Sequence, residues 1–209
     1  MFRPSTVGAA IIAIVALALD AASLSAAPVK LARHPDYHAG KITFSYLGDI
    51  WTANEDGSDP HRVTDNIARE VYPRFSPDGK WIAFASNRYG NYDVFVVPAA
   101  GGAPKRLTFH TGNDEVVGWA RDGQQVIFRA TRGDGAFPSV AVIYQIPAAG
   151  GMEKPLPLDW GYWASYSPDG KSLVFNRQVD VASSHTAEST RVENWMSRRR
   201  SCLSVTCWR

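Results

Sequence analysis

The chain has 209 residues, a length that suits one domain or slightly more. Its hydrophobic content of 45% and aromatic content of 11% are typical of a packed globular protein and exclude an intrinsically disordered one. Its formal net charge of +2 gives no electrostatic basis for binding nucleic acid or an anionic membrane.

The first predicted element is a secretory signal peptide over residues 1–27. Arg3 precedes an uncharged apolar run of 13 residues that ends just before Asp20, and small residues follow as far as Ala27. The run is too short for a membrane span, which requires about 20 apolar residues, and Asp20 argues against an uncleaved anchor. The cleavage site stays open, because a cut after Ala27 would leave Pro28 first. We expect a signal helix, cleavage, a secreted or periplasmic location, and no membrane attachment afterwards.

Residues 28–177 repeat a five-residue turn between apolar runs, which we name the turn cassette. Its three copies are Ser76–Lys80, Ala120–Gln124 and Ser167–Lys171. In the full pattern Pro presets φ at the second turn position, Asp suits the third, and Gly accepts the left-handed conformation that closes a hairpin. The Asp residues of successive copies lie 44 and 47 residues apart. A period in the forties built from short strands is typical of β-propeller blades.

Each cassette is followed by the same series of strands. The first is predicted over Trp81–Ala85, Val126–Arg129 and Leu173–Phe175; the second over Ile50–Thr52, Asp93–Val97 and Val140–Ile146; and a short third over Arg62–Thr64 and Arg106–Thr108, degraded to Pro155–Pro157. A weaker copy of the repeat comes earlier, and aligning Lys41 with Lys80 gives an offset of 39 residues. Runs such as Val94–Val97 are continuously apolar, which indicates burial on both faces, as in a blade between two neighbours. A β-sandwich, the alternative, does not predict the same turns in the same order.

The repeat stops after Arg177, and residues 178–209 show no rhythm of strands and turns. We therefore expect an all-β fold, an incomplete β-propeller of about three and a half four-stranded blades. We expect residues 178–209 to form an irregular tail of non-native or disordered sequence. Because a ring needs at least four blades, our hypothesis is a truncated or frame-shifted product.

The stretch from His34 to Arg177 resembles the amino-terminal β-propeller of tricorn-type serine proteases and their secreted bacterial homologues. The segments that carry the resemblance are Gly48–Trp51, Pro73–Phe84, Tyr89–Val94, Gly101–Thr108 and Val116–Trp119. Single Ser-Pro-Asp-Gly turns are shared with TolB and with the propellers of prolyl-oligopeptidase-like enzymes, so the longer ordered series is the more specific feature.

In the tricorn-type family the propellers precede a PDZ-like module and a serine peptidase domain. The resemblance therefore implies a fragment that gates or guides peptides, lacks the peptidase domain and is inactive alone. Its implied partners are peptides and the remainder of the protease, with homo-oligomerisation of the full-length proteins left open. The alternative is a TolB-like propeller that acts as a periplasmic protein-binding scaffold. A resemblance to TolB implies an α/β domain between the signal peptide and the propeller. This alternative is disfavoured because the repeats begin within a few residues of the signal peptide.

No catalytic, cofactor-binding or metal-binding residue can be assigned from the sequence, and no cofactor is expected. There is no G-x-S-x-G or H-E-x-x-H motif. Asn54–Gly57 fails as a calcium loop, since Thr52 stands where the first acidic ligand belongs, and is interpreted as a hairpin turn. Arg132–Asp134 spells an adhesion tripeptide that a hairpin tip explains equally well.

Several further residues are candidates for binding. Cys202 and Cys207, without a nearby His, are a weak metal signal that a small disulfide loop would also explain. The aromatic residues Trp160, Tyr162 and Trp163 are candidates either to line a peptide channel or to pack between blades.

Overall fold

The computed structural model describes residues 31–132, 141–158, 161–167 and 169–176, together with the backbone of residues 205–208. All of them belong to one compact unit, Leu31–Arg209. Within these ranges every regular element is a strand, and a helix with the length and apolar character of a membrane span is absent. The predicted signal peptide lies outside the described residues and stays a prediction.

Three four-stranded antiparallel sheets follow one another, each with its strands in chain order. Blade 1 consists of β1 (Arg33–His38), β2 (Lys41–Tyr46), β3 (Asp49–Asn54) and β4 (His61–Arg62). Blade 2 consists of β5 (Glu70–Phe75), β6 (Trp81–Ser86), β7 (Asp93–Pro98) and β8 (Lys105–Arg106). Blade 3 consists of β9 (Asp114–Trp119), β10 (Gln125–Ala130), β11 (Val142–Pro147) and β12 (Lys154–Pro155). A fourth sheet contains β13 (Ala164–Tyr166), β14 (Leu173–Asn176) and β15 (Val205–Trp208). This is an open, incomplete β-propeller, and it confirms the predicted fold class.

The core lies between the blades, because each central strand is buried on both faces. Along β6, Ile82 and Phe84 pack in a cluster with Ile50 of blade 1, whereas Ala83 packs with Val126 of blade 3. A further apolar cluster lies between blade 3 and the fourth sheet. Burying each large aliphatic or aromatic side chain contributes roughly 1.5–3 kcal/mol. The continuous apolar runs of the sequence are therefore explained by packing between neighbouring sheets.

The turn cassettes adopt the predicted conformation. Gly79, Gly123 and Gly170 have φ values of 70°, 70° and 71°. In the first copy the hydroxyl of Ser76 donates to a carboxylate oxygen of Asp78 (2.6 Å), and the same oxygen accepts from the Lys80 amide (3.1 Å). The third copy repeats both hydrogen bonds. Each cassette thus closes its hairpin through contacts within five residues.

The observed strands differ from the predictions in three respects. In the weaker first copy, Lys41 is equivalent to Trp81, because each is the first residue of the second strand of its blade. The predicted offset of 39 residues, which aligned Lys41 with Lys80, was therefore wrong by one residue. The reason is a shorter hairpin, in which Ala39 and Gly40 both have positive φ. The last strand of each blade has only two residues. The first strand of each blade is not among the strands predicted from the sequence.

The tail contributes one strand, β15, which pairs antiparallel with β14. This strand falls within the segment 178–209 that we expected to be irregular, and the absence of alternating repeats there gave no indication of it. The rest of the tail lies outside the described residues, so the expectation for it stays a prediction.

Candidate ligand-binding cavity

A common cavity is lined by the first strands of the three blades and of the fourth sheet, namely β1, β5, β9 and β13. We name these four strands the inner strands. The cavity has a volume of about 600 Å³ and is lined by residues of all four. This volume lies within the range of about 300–1,000 Å³ that is usual for sites that bind small ligands.

An aromatic residue stands at the same position in every inner strand. The strand registers pair Tyr37 with Ile42, Phe75 with Ile82, Trp119 with Val126, and Tyr166 with Leu173, which makes the four aromatic residues structurally equivalent. All four line the cavity. The wall therefore contains one aromatic side chain from each of the four sheets, which suits contact with apolar groups of a ligand.

Arg74 carries a positive charge into this wall. Its guanidinium donates to the carbonyl oxygens of Val117 (3.2 Å), Pro35 (3.4 Å) and Pro73 (3.1 Å), and so links three blades. Among the described residues its acceptors are carbonyl oxygens rather than carboxylates. On the neighbouring strand β1, Asp36 accepts a hydrogen bond from the Phe75 amide (2.8 Å). The cavity therefore combines apolar, cationic and anionic groups.

At their other end the inner strands converge on an aromatic cluster. His34 and Tyr72 each precede a proline at a β-bulge and have φ values of 53° and 55°. Their rings lie 4.3 Å apart, and Tyr72 lies 5.8 Å from Trp163. Arg129 stacks 4.3 Å from the Trp163 ring and pairs with Glu115. Burial lowers the pKa of His34, and Arg69 adds to the effect, so its imidazole is neutral at pH 7.

A second cavity of about 650 Å³ lies between blades 2 and 3 on the side of the turn cassettes. It shares four wall residues with the first cavity, namely Ser76, Pro77, Trp119 and Arg121. Trp81 lines it and is 43% exposed. The equivalent first residues of the second strand in the other blades are polar: Lys41, Gln125 and Ser172. Trp81 is therefore an exposed aromatic group that the repeat itself does not require.

The contact between blades 2 and 3 beside Trp81 is looser than the equivalent contact between blades 1 and 2. The His38 ring packs so closely on Gly79 that a Cβ there would lie 2.5 Å from it. The residue equivalent to His38 in blade 2 is the smaller Ser76, and a Cβ on Gly123 would come no closer than 3.6 Å to the nearest atom, which belongs to Pro77.

Sequence reasoning found part of this site. Trp163 lines the cavity, as one of the two alternatives proposed, whereas Tyr162 lies against Arg129. Trp160 falls outside the described residues. The sequence analysis did not predict the four equivalent aromatic residues of the inner strands. The sequence does contain a signal for them, because an aromatic residue directly precedes each of the three cassettes.

The weaker motifs have structural roles where they are described. Asn54–Gly57 is a hairpin turn, as predicted, with the Gly57 amide donating to the Asn54 carbonyl (2.9 Å). Arg132 pairs with Asp114 and Glu153, and the rest of the tripeptide lies outside the described residues. Within the described ranges, no three His, Cys, Asp or Glu residues are grouped as metal ligands would be.

The blades and the two adjacent cavities define a β-propeller domain with a ligand-sized cavity between its inner strands. Residues 29–189 match the family described as the Tricorn protease N-terminal beta propeller domain. Because this match covers well over half of the sequence, the chain belongs to that family.

Individual relatives agree with the family match. Tricorn protease homolog 1 of Streptomyces coelicolor is 37% identical over 134 residues, which cover 63% of this chain and only 12% of that protein. A protein of Sulfurisphaera tokodaii that is named as a Tricorn-like protease N-terminal subunit is 30% identical over 69% of this chain and 73% of its own length. The chain thus spans about an eighth of the first relative and most of the second.

Solved structures show the same fold. The crystal structure of the tricorn protease superposes with a TM-score of 0.60 at 25% identity, covering 70% of this chain and 15% of that one. A TolB structure from Agrobacterium tumefaciens gives a TM-score of 0.60 at 23% identity over 70% of this chain and 53% of its own. The likeness to TolB, at that identity, is a likeness of fold alone.

Proposed function

We propose that the cavity between the inner strands binds extended peptide segments and guides them within a tricorn-like protease assembly, and that this chain performs no hydrolysis itself. The observation that carries the proposal is that the two cavities are adjacent and share the wall residues Ser76, Pro77, Trp119 and Arg121. A ligand that contacts both cavities would run from the inner strands outwards between blades 2 and 3. An elongated ligand fits this pair of cavities better than a compact one.

The chemistry of the two cavities supports a peptide ligand. A peptide offers apolar side chains, which the four aromatic residues of the inner strands and Trp81 can contact. It also offers backbone carbonyls, which can accept hydrogen bonds from Arg74 and Arg121. Since the family membership connects the domain with proteases, peptides are the ligand class that satisfies both observations. We propose that peptides approach from the side of the cassettes, because the second cavity lies on that side.

Export is part of the same proposal. The apolar run before Asp20 supports a secreted or periplasmic location, where peptides from outside the cytoplasm would be the substrates of the assembly.

Fluorescence anisotropy with a labelled, end-blocked decapeptide that has a central phenylalanine tests peptide binding. We expect saturable binding, and we expect Trp81→Gln to weaken it about tenfold, since loss of an aromatic contact costs about 1–1.5 kcal/mol. Gln is the residue that blade 3 has at this position, so the fold should tolerate it. The control is Met152→Gln, which replaces another exposed apolar residue outside both cavities.

Two outcomes would contradict the proposal. One is the absence of saturable binding by the wild-type chain, which would favour the TolB-like scaffold that binds folded proteins. The other is equal binding by wild type and Trp81→Gln. Release of fragments from the peptide by the purified chain would separately disprove the absence of hydrolysis.

A further inference from the structure

Blade 3 has an arginine at a position where the other sheets have smaller residues. This residue is Arg129 on β10, and the strand registers make it equivalent to Ser45, Ala85 and Asn176. Its cross-strand neighbour Glu115 on β9 is equivalent to Val71 of blade 2. Blade 2 forms the same strand pair from alanine and valine. The fold of a blade therefore does not require the ion pair of Arg129 with Glu115.

The Arg129 guanidinium contacts three aromatic rings in addition to the Glu115 carboxylate. Its Cζ lies 4.3 Å from the centre of the Trp163 ring, 5.4 Å from that of Tyr162 and 5.6 Å from that of Tyr72. Its Nε donates to a carboxylate oxygen of Glu115 (2.7 Å). A planar guanidinium can pair with a carboxylate and stack on rings at the same time. Arg129 thus holds together rings of blade 2 and of the segment that leads into the fourth sheet.

Of these three rings, Trp163 lines the first cavity, and it is 40% exposed. Its amide donates to the side-chain oxygen of Asn176 (2.6 Å), and its carbonyl accepts from the Asn176 amide (3.1 Å). These hydrogen bonds fix the backbone but do not fix the rotation of the side chain. The ring itself is restricted by Arg129 on one side and by an edge contact with Tyr72, at 5.8 Å and 70°. The orientation of Trp163 therefore depends on Arg129.

We propose that Arg129 is a positioning residue: it holds the Trp163 ring in one orientation in the wall of the first cavity, where the ring forms a subsite for an apolar side chain of the bound peptide. The subsite rests on the proposed function, whereas the orientation of the ring can be measured without a ligand. A ring that is fixed before binding loses little conformational entropy when a ligand contacts it.

A purely structural role of the ion pair is the alternative. It predicts a loss of stability on substitution, without a change in the mobility of Trp163. Arg129→Lys separates the two roles, because lysine keeps a positive charge opposite Glu115 but lacks the planar group that stacks on the rings. A second variant, Arg129→Ala combined with Glu115→Val, gives blade 3 the residues of blade 2 and leaves neither charge unpaired.

Fluorine NMR of the full chain labelled with fluorotryptophan tests the orientation. The chain has seven tryptophans, and the Trp163 signal is identified by its loss in Trp163→Phe. We expect one narrow Trp163 signal in the wild type. In Arg129→Lys and in the double variant it should broaden or split, because the ring then samples several rotamers. Circular dichroism verifies that both variants fold.

Arg106→Lys is the matched control. The Arg106 guanidinium lies 4.4 Å from the Tyr89 ring and 4.6 Å from the Phe109 ring, and it pairs with Asp93 at 2.8 Å. These residues lie outside both cavities, at the end of the blades opposite the cassettes, which we name the loop end. The control makes the same chemical change and should alter neither the Trp163 signal nor peptide affinity.

The labelled decapeptide with a central phenylalanine tests the subsite. We expect Arg129→Lys to weaken its binding about fivefold, the size of one lost cation–π restraint. The same peptide with glycine in place of phenylalanine should lose less than about twofold. In a Trp163→Ala background, Arg129→Lys should cause no further loss, because Arg129 acts through the Trp163 ring.

Three outcomes are distinguishable. A Trp163 signal that stays single and narrow in both Arg129 variants would overturn the positioning role. A perturbed signal with equal losses of affinity for the phenylalanine and glycine peptides would overturn the subsite. Failure of the wild-type chain to bind either peptide would contradict the proposed function and the subsite together, whereas the fluorine signal would still decide whether Arg129 orients Trp163.

Discussion

The two ends of the blades hold the same strands together by different means. At the cassette end, each turn is closed by hydrogen bonds within five residues, as between Ser76 and Asp78. At the loop end, ion pairs connect residues far apart in sequence. Asp114 pairs with Arg132 at 2.8 Å, and Glu70 pairs with Arg88. The carboxylate is fully buried in both pairs.

The difference teaches where stability is local and where it depends on neighbouring blades. A cassette can close as soon as its own residues are synthesised. Glu70 and Asp114, in contrast, interact electrostatically with Asp49 and Asp93 of the preceding blade, so their environment depends on that blade. The loop end is therefore the more sensitive to substitution, and the predictions below measure this contrast.

The largest effect is expected from Asp114→Asn. It removes the fully buried one of the two carboxylates that pair with Arg132, which is 11% exposed, and leaves only Glu153 as its counter-charge, and we expect a loss of about 3 kcal/mol in the free energy of unfolding. The matched change is Asp59→Asn in the exposed pair with His61, for which we expect less than about 0.5 kcal/mol. Urea denaturation measures both, and equal losses would contradict the contrast.

At the cassette end, Gly79→Ala should exceed Gly123→Ala in cost. Both residues have a φ of 70°, so each alanine incurs the left-handed strain of about 1 kcal/mol. Only the Cβ at position 79 meets the His38 ring, which we expect to raise the loss to about 2 kcal/mol. His38→Ala in the Gly79→Ala background should remove the excess, and a double variant as unstable as the single one would disprove this explanation.

Leu47→Asn, in the hairpin turn that Leu47 forms with Gly48, should stabilise the folded chain by about 1 kcal/mol, because asparagine tolerates the φ of 51°. Thermal unfolding measures this gain. A lower melting temperature would show that Leu47 contributes to the fold itself.

The smallest effect concerns pH. Burial raises the pKa of Glu70 above its ordinary value of 4.5, with Arg88 opposing the shift. The folded chain then binds a proton that the unfolded chain releases, so this group favours folding increasingly as the pH falls through the window above 4.5. Relative to Glu70→Gln, the wild-type melting temperature should rise by about 2 °C between pH 7 and pH 5. A difference that is constant with pH would contradict this sign.

The sequence predicted what depends on short-range patterns. The left-handed glycines of the cassettes and the central strands of each blade followed from turn chemistry and apolar runs. The pairing of Glu70 with Arg88 could not be predicted, since the two are 18 residues apart and each is an ordinary charged residue in isolation. The cavity beside Trp81 could not be predicted for a similar reason, because residues of two different blades line it.

The equivalence of the four inner strands has a consequence for how such a cavity changes over evolution. Every repeat supplies one inner strand of the cavity wall, with one aromatic side chain at the equivalent position. Duplication or loss of a whole repeat changes the width of the cavity by one strand. A point substitution of a single aromatic residue, Tyr37, Phe75, Trp119 or Tyr166, changes only the chemistry of one part of the wall. Width and selectivity can therefore evolve independently.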